Sequence, residues 1–326
     1  MDRRGWIETS LAAVISLIMS ITGPLLLFFM LPLQILAVRC GKIAFSYSAS
    51  GVFFGSIILK KILLTPDVGG TGSLVFADSA IFFLLLSGLY AVNFLLEKYR
   101  TILRLLIITA TAGLVSIPVI YYLNSDQVLN TAMIDQLDSI LVMLNGGTPE
   151  SSIFSSVSAE DLYSLFKIYF LNSFLAVYFF LLALTWWMGS RFGLRSIGKA
   201  SRVPTIKEFK VPEKLVWFFF VPLTIVLLNV LLESKGAKME MGLIGFAVSN
   251  SLYIMGTLYA IQGFSLVQFF LEKKTINPGI RRLSVIILII SLFIFPLNVL
   301  IVILLPGLGV SELWINYRIK DKEIIQ

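Results

Sequence analysis

Residues 6–38 read WIETSLAAVISLIMSITGPLLLFFMLPLQILAV, a 33-residue run in which Glu8 is the one charged side chain. A membrane-spanning helix needs about 20 mainly apolar residues at about 1.5 Å of rise each, so this run is too long for one ordinary span. Gly23-Pro24 interrupts it. Proline removes a backbone donor and disfavours helix at the residue before it, which predicts two short helices, about 9–22 and 25–38, joined as a hairpin. Charge points the same way. A hairpin leaves Arg3-Arg4 and Arg39 on one side of the membrane, and the excess of Lys and Arg in cytoplasmic loops makes that side the cytoplasm.

The rest of the chain continues in the same register. Further apolar runs lie at 43–60, 74–95, 104–123, 162–188, 215–232, 241–271 and 283–305. The 326 residues are 57% hydrophobic and 14% charged, against about 45–50% apolar and about 25% charged in a soluble domain, so a soluble fold is excluded. The expected fold is all-α: a polytopic transmembrane bundle of about 8–10 segments forming a single integral membrane domain over 1–326.

Loop charges orient the bundle. The segment 189–214 carries Arg191, Arg195, Lys199, Arg202, Lys207, Lys210 and Lys214 against Glu208 and Glu213, a balance of seven minus two or +5, and is expected in the cytoplasm. The segment 124–160 carries Asp126, Asp135, Asp138, Glu150 and Glu160 with no Lys or Arg, so it is expected outside. Its periodic apolar residues from Val128 to Leu144 predict an amphipathic helix, ended at Asn145-Gly146-Gly147, that either connects two spans or forms a lid. Lys60 and Lys61 fall on the outer side against the rule. The run 283–305 either crosses once, leaving Arg318 outside, or breaks at Pro296 and returns the tail to the cytoplasm. No signal peptide is expected, because the first apolar stretch is too long.

Chemistry-bearing motifs are sparse. With no His and a single cysteine, Cys40, the chain has no internal disulfide, no usual zinc or non-haem iron set and no His general base. An enzyme, a metal and a cofactor are therefore not expected. Cys40-Gly41-Lys42 and Gly69-Gly70-Thr71-Gly72 lack the context of phosphate-binding loops, and the net charge of +7 is accounted for by loop bias, not nucleic acid.

Polar side chains in spans are costly unless they face other helices or a wet cavity. Tyr90 and Asn93 cluster on one face of 74–95. Asn250, Tyr253, Thr257, Ser265 and Gln268 follow one line along 241–271. Lys167 and Asn172 lie in the outer half of 162–188, and Lys167 needs a carboxylate, a carbonyl or an anionic ligand unless it reaches the outer interface. Each of these is explained either by helix packing or by a solute pocket. Gly51-x-x-x-Gly55 allows close helix approach, for which packing suffices.

Two end motifs carry a family resemblance. Pro32-Leu33-Gln34-Ile35-Leu36-Ala37-Val38-Arg39-Cys40-Gly41, followed by Gly51 and Gly55, resembles the opening of the YybS-like bacterial membrane proteins. Gly307 to Arg318, with Gly309, Glu312, Trp314 and Arg318, resembles their closing pattern, with Asn316 where an acid is expected. That family is similar to the S components of energy-coupling-factor transporters and, more distantly, to the MreD rod-shape proteins. The resemblance implies a compact S-component-like bundle with a solute pocket open to the outside, in the bacterial inner membrane.

Two functions are therefore expected in order. The first is capture or transport of a small-molecule solute, with Tyr90, Asn93, Lys167, Asn172, Asn250 and Tyr253 as binding residues and a separate energising protein as partner. The second is a non-transporting scaffold that docks a partner through 189–214 and the Trp314 to Arg318 tail. The lipid bilayer is a partner in both.

Overall fold

The structure, a computed structural model, describes residues 3–63, 71–144, 158–198, 206–237, 242–273, 277–291 and 294–318. These contain helices and turns and no strand. Among the described residues, seven helical stretches are long and apolar enough to cross a membrane. The membrane domain is built as two compact units, Met1–Val203 and Pro204–Gln326.

The first unit opens with α1 (Arg3–Ile21), a 3-10 turn at Gly23–Phe28 and α2 (Leu31–Leu63). Gly41, at φ 78° and ψ −166°, breaks α2 into two helices, 31–40 and 42–63. That left-handed backbone is open to glycine at no steric cost. The second of these helices packs along α1. Ser48 Oγ donates to the Thr9 carbonyl at 2.5 Å, and Gly51 and Gly55 face Ala13 and Leu17. Residue numbers rise together across this contact, so α1 and 42–63 run in the same direction and 23–40 is the return pass between them. Glu8 closes the circuit by accepting from Arg39 Nη2 at 2.9 Å and Cys40 Sγ at 3.3 Å. The expected hairpin is present, with Arg3, Arg4 and Arg39 at one end of the unit.

The third pass is thus 42–63, and α3 (Thr71–Tyr90) runs antiparallel to it. Phe53 meets Phe83 at 5.9 Å and Phe45 meets Phe94 at 5.7 Å between ring centroids. At the other end Lys60 pairs with Asp78 and lies over the Phe82 ring at 4.1 Å. The lysine that ran against the charge rule is neutralised locally.

Then come α4 (Thr101–Ser125), α5 (Gln127–Leu144) and α6 (Ala159–Ser196). The expected helix after 127 is α5, which contacts α3, α4 and α6; its expected Asn145-Gly146-Gly147 stop lies outside the described residues. Ser158 caps α6 by accepting from the Asp161 amide at 3.0 Å, and Glu160 and Asp161 complement the positive end of the helix. α6 runs eight residues past the expected end at 188, so Arg191 and Arg195 sit on its last turns and not in a loop.

The second unit holds 3-10 turns at Ile206–Glu208 and Glu213–Val216, then α7 (Trp217–Ser234), α8 (Gly242–Lys273), α9 (Pro278–Ser291) and α10 (Leu297–Ser311). Of the two readings of 283–305, the broken one holds: helix stops at Ser291 and resumes at Leu297, on either side of Pro296. α10 and the turn after it run in the same direction as α8, since Gln262 bonds Gly309 and Glu312 while the Phe270 ring meets that of Tyr317 edge to face at 5.7 Å. The intervening α9 therefore returns the chain, and Arg318 ends beside Ser265 near the Lys273 end.

Candidate functional site

In the first unit three passes converge on Gln34, which is fully buried. Its Nε2 donates to Asn93 Oδ1 at 3.0 Å and to Ser190 Oγ at 2.9 Å, and its Oε1 accepts from Asn93 Nδ2 at 2.6 Å. Asn93 Nδ2 also donates to the Leu89 carbonyl at 2.8 Å. Two amides thus satisfy each other face to face in the packed interior.

Local backbone builds this clasp. After Tyr90 the α3 helix widens into a π turn, Ala91–Leu95, an insertion common at functional sites, and Asn93 lies inside it. Arg104 braces the far end of the turn by donating to the Tyr99 carbonyl at 2.6 Å, the Val92 carbonyl at 3.4 Å and the Glu97 carbonyl. On α6, a Cβ at Gly189 would lie 2.5 Å from the Gln34 side chain, and one at Gly193 would lie 2.9 Å from Val38 Cβ. Only hydrogen at those positions lets 31–40 seat on α6. Nearby, Tyr178 OH donates to the Leu84 carbonyl at 2.9 Å across Gly88, where a Cβ would lie 2.1 Å from that hydroxyl.

A second polar node lies in the second unit. Gln262, also fully buried, accepts from the Val211 amide at 2.8 Å and donates to the Gly309 carbonyl at 3.0 Å and Glu312 Oε2 at 2.8 Å. Glu312, with a side chain 1% exposed, pairs with Arg318 at 2.7 Å. Arg318 Nη2 donates to the Phe209 carbonyl and to Ser265 Oγ, each at 3.0 Å. α8 and α10 touch backbone to backbone here, because a Cβ at Gly263 or Gly309 would lie 2.0 Å from the Leu305 or Tyr259 carbonyl oxygen. The closing motif is therefore a structural clasp: Gly309 permits the contact, Glu312 and Arg318 lock the tail, and Trp314 stays exposed beside Phe220. In the opening motif Arg39 pairs with Glu8 and Gly41 breaks the helix. Pro32 stands in the first turn of the 31–40 helix, where its missing amide is tolerated.

The six expected binding residues divide between the units. The Tyr90 ring lies tilted against those of Phe45 and Phe94, with Lys42 Nζ 5.6 Å from its ring centre, and Asn93 forms the clasp. Lys167 and Asn172 lie on α6 toward its Ser158 end; Lys167 is 23 residues before Ser190, about 35 Å along a helix, so it is not part of the clasp. Asn250 and Tyr253 belong to the second unit. Asn250 is buried and donates to the Phe246 carbonyl at 2.8 Å, whereas Tyr253 is half exposed. The buried line of α8 runs through Asn250, Ile254, Leu258, Tyr259, Gln262 and Leu266, rotated from the expected polar line, because helix contact follows Gly263 and not the Tyr and Thr side chains. Gln34, Ser190 and Gln262 were not among the expected binding residues. Their signal was a buried amide or hydroxyl next to small residues, Gly189-x-x-x-Gly193 and Gly263.

These features define a polytopic helical membrane protein with two polar clasps and no cluster of three or more metal-ligating side chains among the described residues. Residues 9–305 match the model of the family described as predicted membrane protein DUF2232, and the chain belongs to that family. No curated protein and no solved structure matches it.

Proposed function

We propose that this chain is a multi-pass protein of the bacterial cytoplasmic membrane, with a cytoplasmic N-terminus, that captures a small solute and hands it to a separate energising partner. It performs no enzyme chemistry in this reading. The observation that carries it is the short 31–40 helix, preceded by the Gly23-Pro24 turn and stopped by Gly41, with Gln34 held in the packed interior by Asn93 and Ser190. Interrupted helices mark solute sites in transporters because backbone and amide groups at the break can exchange a protein partner for a solute. Purified protein is to be heated with pools of vitamins, nucleobases and amino acids. A pool that raises the melting midpoint of the native protein and not of Gln34→Leu supports capture, and no response to any pool rejects it.

A second reading, a scaffold in the manner of MreD, is favoured by the node that ties Phe209 and Val211 to the Glu312 to Arg318 tail. That end presents Trp314, 70% exposed. A photocrosslinker at Trp314 that traps no protein in membranes removes this reading.

A further inference from the structure

Helix register gathers the cations of the first unit at one end. Across the α1 contact Thr9 meets Ser48, Ala13 meets Gly51 and Leu17 meets Gly55, an offset that sets Arg3 and Arg4 level with Gly41 and Lys42. On α6, Gly189 and Gly193 lie against Gln34 and Val38, so Arg39 comes level with Leu194 and Arg195, one turn past Arg191. Against α3 the numbers run oppositely. Lys60 pairs with Asp78, Phe53 meets Phe83 and Phe45 meets Phe94, which brings Lys42 near the turn that carries Glu97, Lys98 and Arg100. With Arg104, nine cations share this end against Glu8 and Glu97; counting Asp2, which precedes the described residues, the balance is nine minus three, or +6. Glu8 is taken by Arg4 and Arg39, and Arg104 by backbone carbonyls, whereas Arg3, Lys42, Lys98, Arg100, Arg191 and Arg195 are exposed. Aromatic rings stand beside them. Trp6, one turn beyond Arg3 on the same face of α1, meets Tyr47 at 5.5 Å between ring centroids, and both rings are exposed. Trp and Tyr collect where a spanning helix passes from hydrocarbon to headgroups, so this level of the unit is headgroup level. Long basic side chains there lay their stems along apolar surface and hold their charges among the phosphates.

We propose that this end of the first unit is a binding surface for anionic phospholipid headgroups. Cations from four separate segments, held at one level beside exposed Trp and Tyr rings, act together on one headgroup layer, and each adds to its attraction for anionic lipid. The surface holds whether or not the protein captures a solute. The full chain in uncharged detergent is to be titrated with phosphatidylglycerol and, separately, with phosphatidylcholine, reading the melting midpoint at low and high salt. Phosphatidylglycerol is expected to raise the midpoint of the native protein, more at low salt than at high. Its apparent affinity should fall about tenfold or more in the double variant Lys42→Gln with Arg195→Gln. Arg3→Gln with Arg191→Gln serves as a second double variant if the first is not recovered. Lys61→Gln with Lys235→Gln removes the same charge from the far end of 42–63 and from the end of α7, and should respond as the native protein does. Equal responses to the two lipids, or an equal response to phosphatidylglycerol in the two kinds of double variant, overturns the proposal. A photocrosslinker at position 42 that traps an acidic protein in membranes, while the Lys42 and Arg195 variant keeps its full response to phosphatidylglycerol, overturns it as well and assigns this end to a protein partner.

Discussion

Replacing Gly309 by alanine tests the α8–α10 contact directly. The added Cβ would lie 2.0 Å from the Tyr259 carbonyl oxygen, which is backbone and cannot swing aside. Reaching even the tightest tolerated contact of 3.0 Å requires the helices to part by about 1 Å. The Gln262 Nε2 bond to the Gly309 carbonyl, 3.0 Å long, then stretches to about 4 Å and is lost. Overpacking costs about 1–3 kcal/mol, and a lost interhelical hydrogen bond in a membrane adds about 0.6 kcal/mol. The sum, about 2–4 kcal/mol, should lower the melting midpoint by on the order of 5–10 °C. Gly263→Ala, which meets the Leu305 carbonyl at 2.0 Å, should do the same. Gly256 on α8 and Gly307 on α10 have nothing within 4 Å of an added Cβ, so alanine there should be neutral or stabilise by up to about 1 kcal/mol through helix propensity. Size-exclusion recovery of detergent-solubilised protein after stepwise heating reads all four. If Gly309→Ala melts with the native protein, or Gly307→Ala falls as far, the backbone contact is not where the structure has it.

Three further outcomes are expected. Glu312→Gln leaves Arg318 facing a neutral group in a site where the acid is 1% exposed, a loss of about 3–5 kcal/mol; the double variant with Arg318→Met should lose less than the sum of the singles in the same melting assay. Gly88→Ala should destabilise the native protein and be largely rescued by Tyr178→Phe, because the clash at 2.1 Å is with the Tyr178 hydroxyl. Compartment-specific reporters fused to Met1 and after Gln326 should both report the cytoplasm; an external C-terminal reporter would contradict the return pass made by α9.

Hydropathy located the passes because the bilayer imposes one length on every crossing helix, and Gly23-Pro24 with the arginines around it was enough to specify the hairpin. The break at Pro296 was one of two open readings, since 283–305 has the length of a single span; the contact of Gly309 with Gly263, distant in sequence, is what draws α10 alongside α8. The polar residues were harder. Asn93 was legible from its place on a helix face, but the π turn that aims it at Gln34 leaves no periodic trace. On α8 the spacing of the polar side chains points to Tyr253, which is half exposed, and passes over Gln262, which is fully buried. A single amide flanked by glycine is a weaker pattern than five spaced polar residues, yet close backbone approach decides which side of a helix is covered.

The division into two compact units has a consequence for assembly. Among the described residues the first unit holds five of the seven helical stretches long and apolar enough to cross a membrane, and the second holds two. Each polar clasp is complete within its own unit: Gln34, Asn93 and Ser190 all precede Val203, and Val211, Gln262, Glu312 and Arg318 all follow it. A break in the polypeptide between Val203 and Pro204 severs none of these bonds, so two separately synthesised halves each carry every side chain that their own clasp requires.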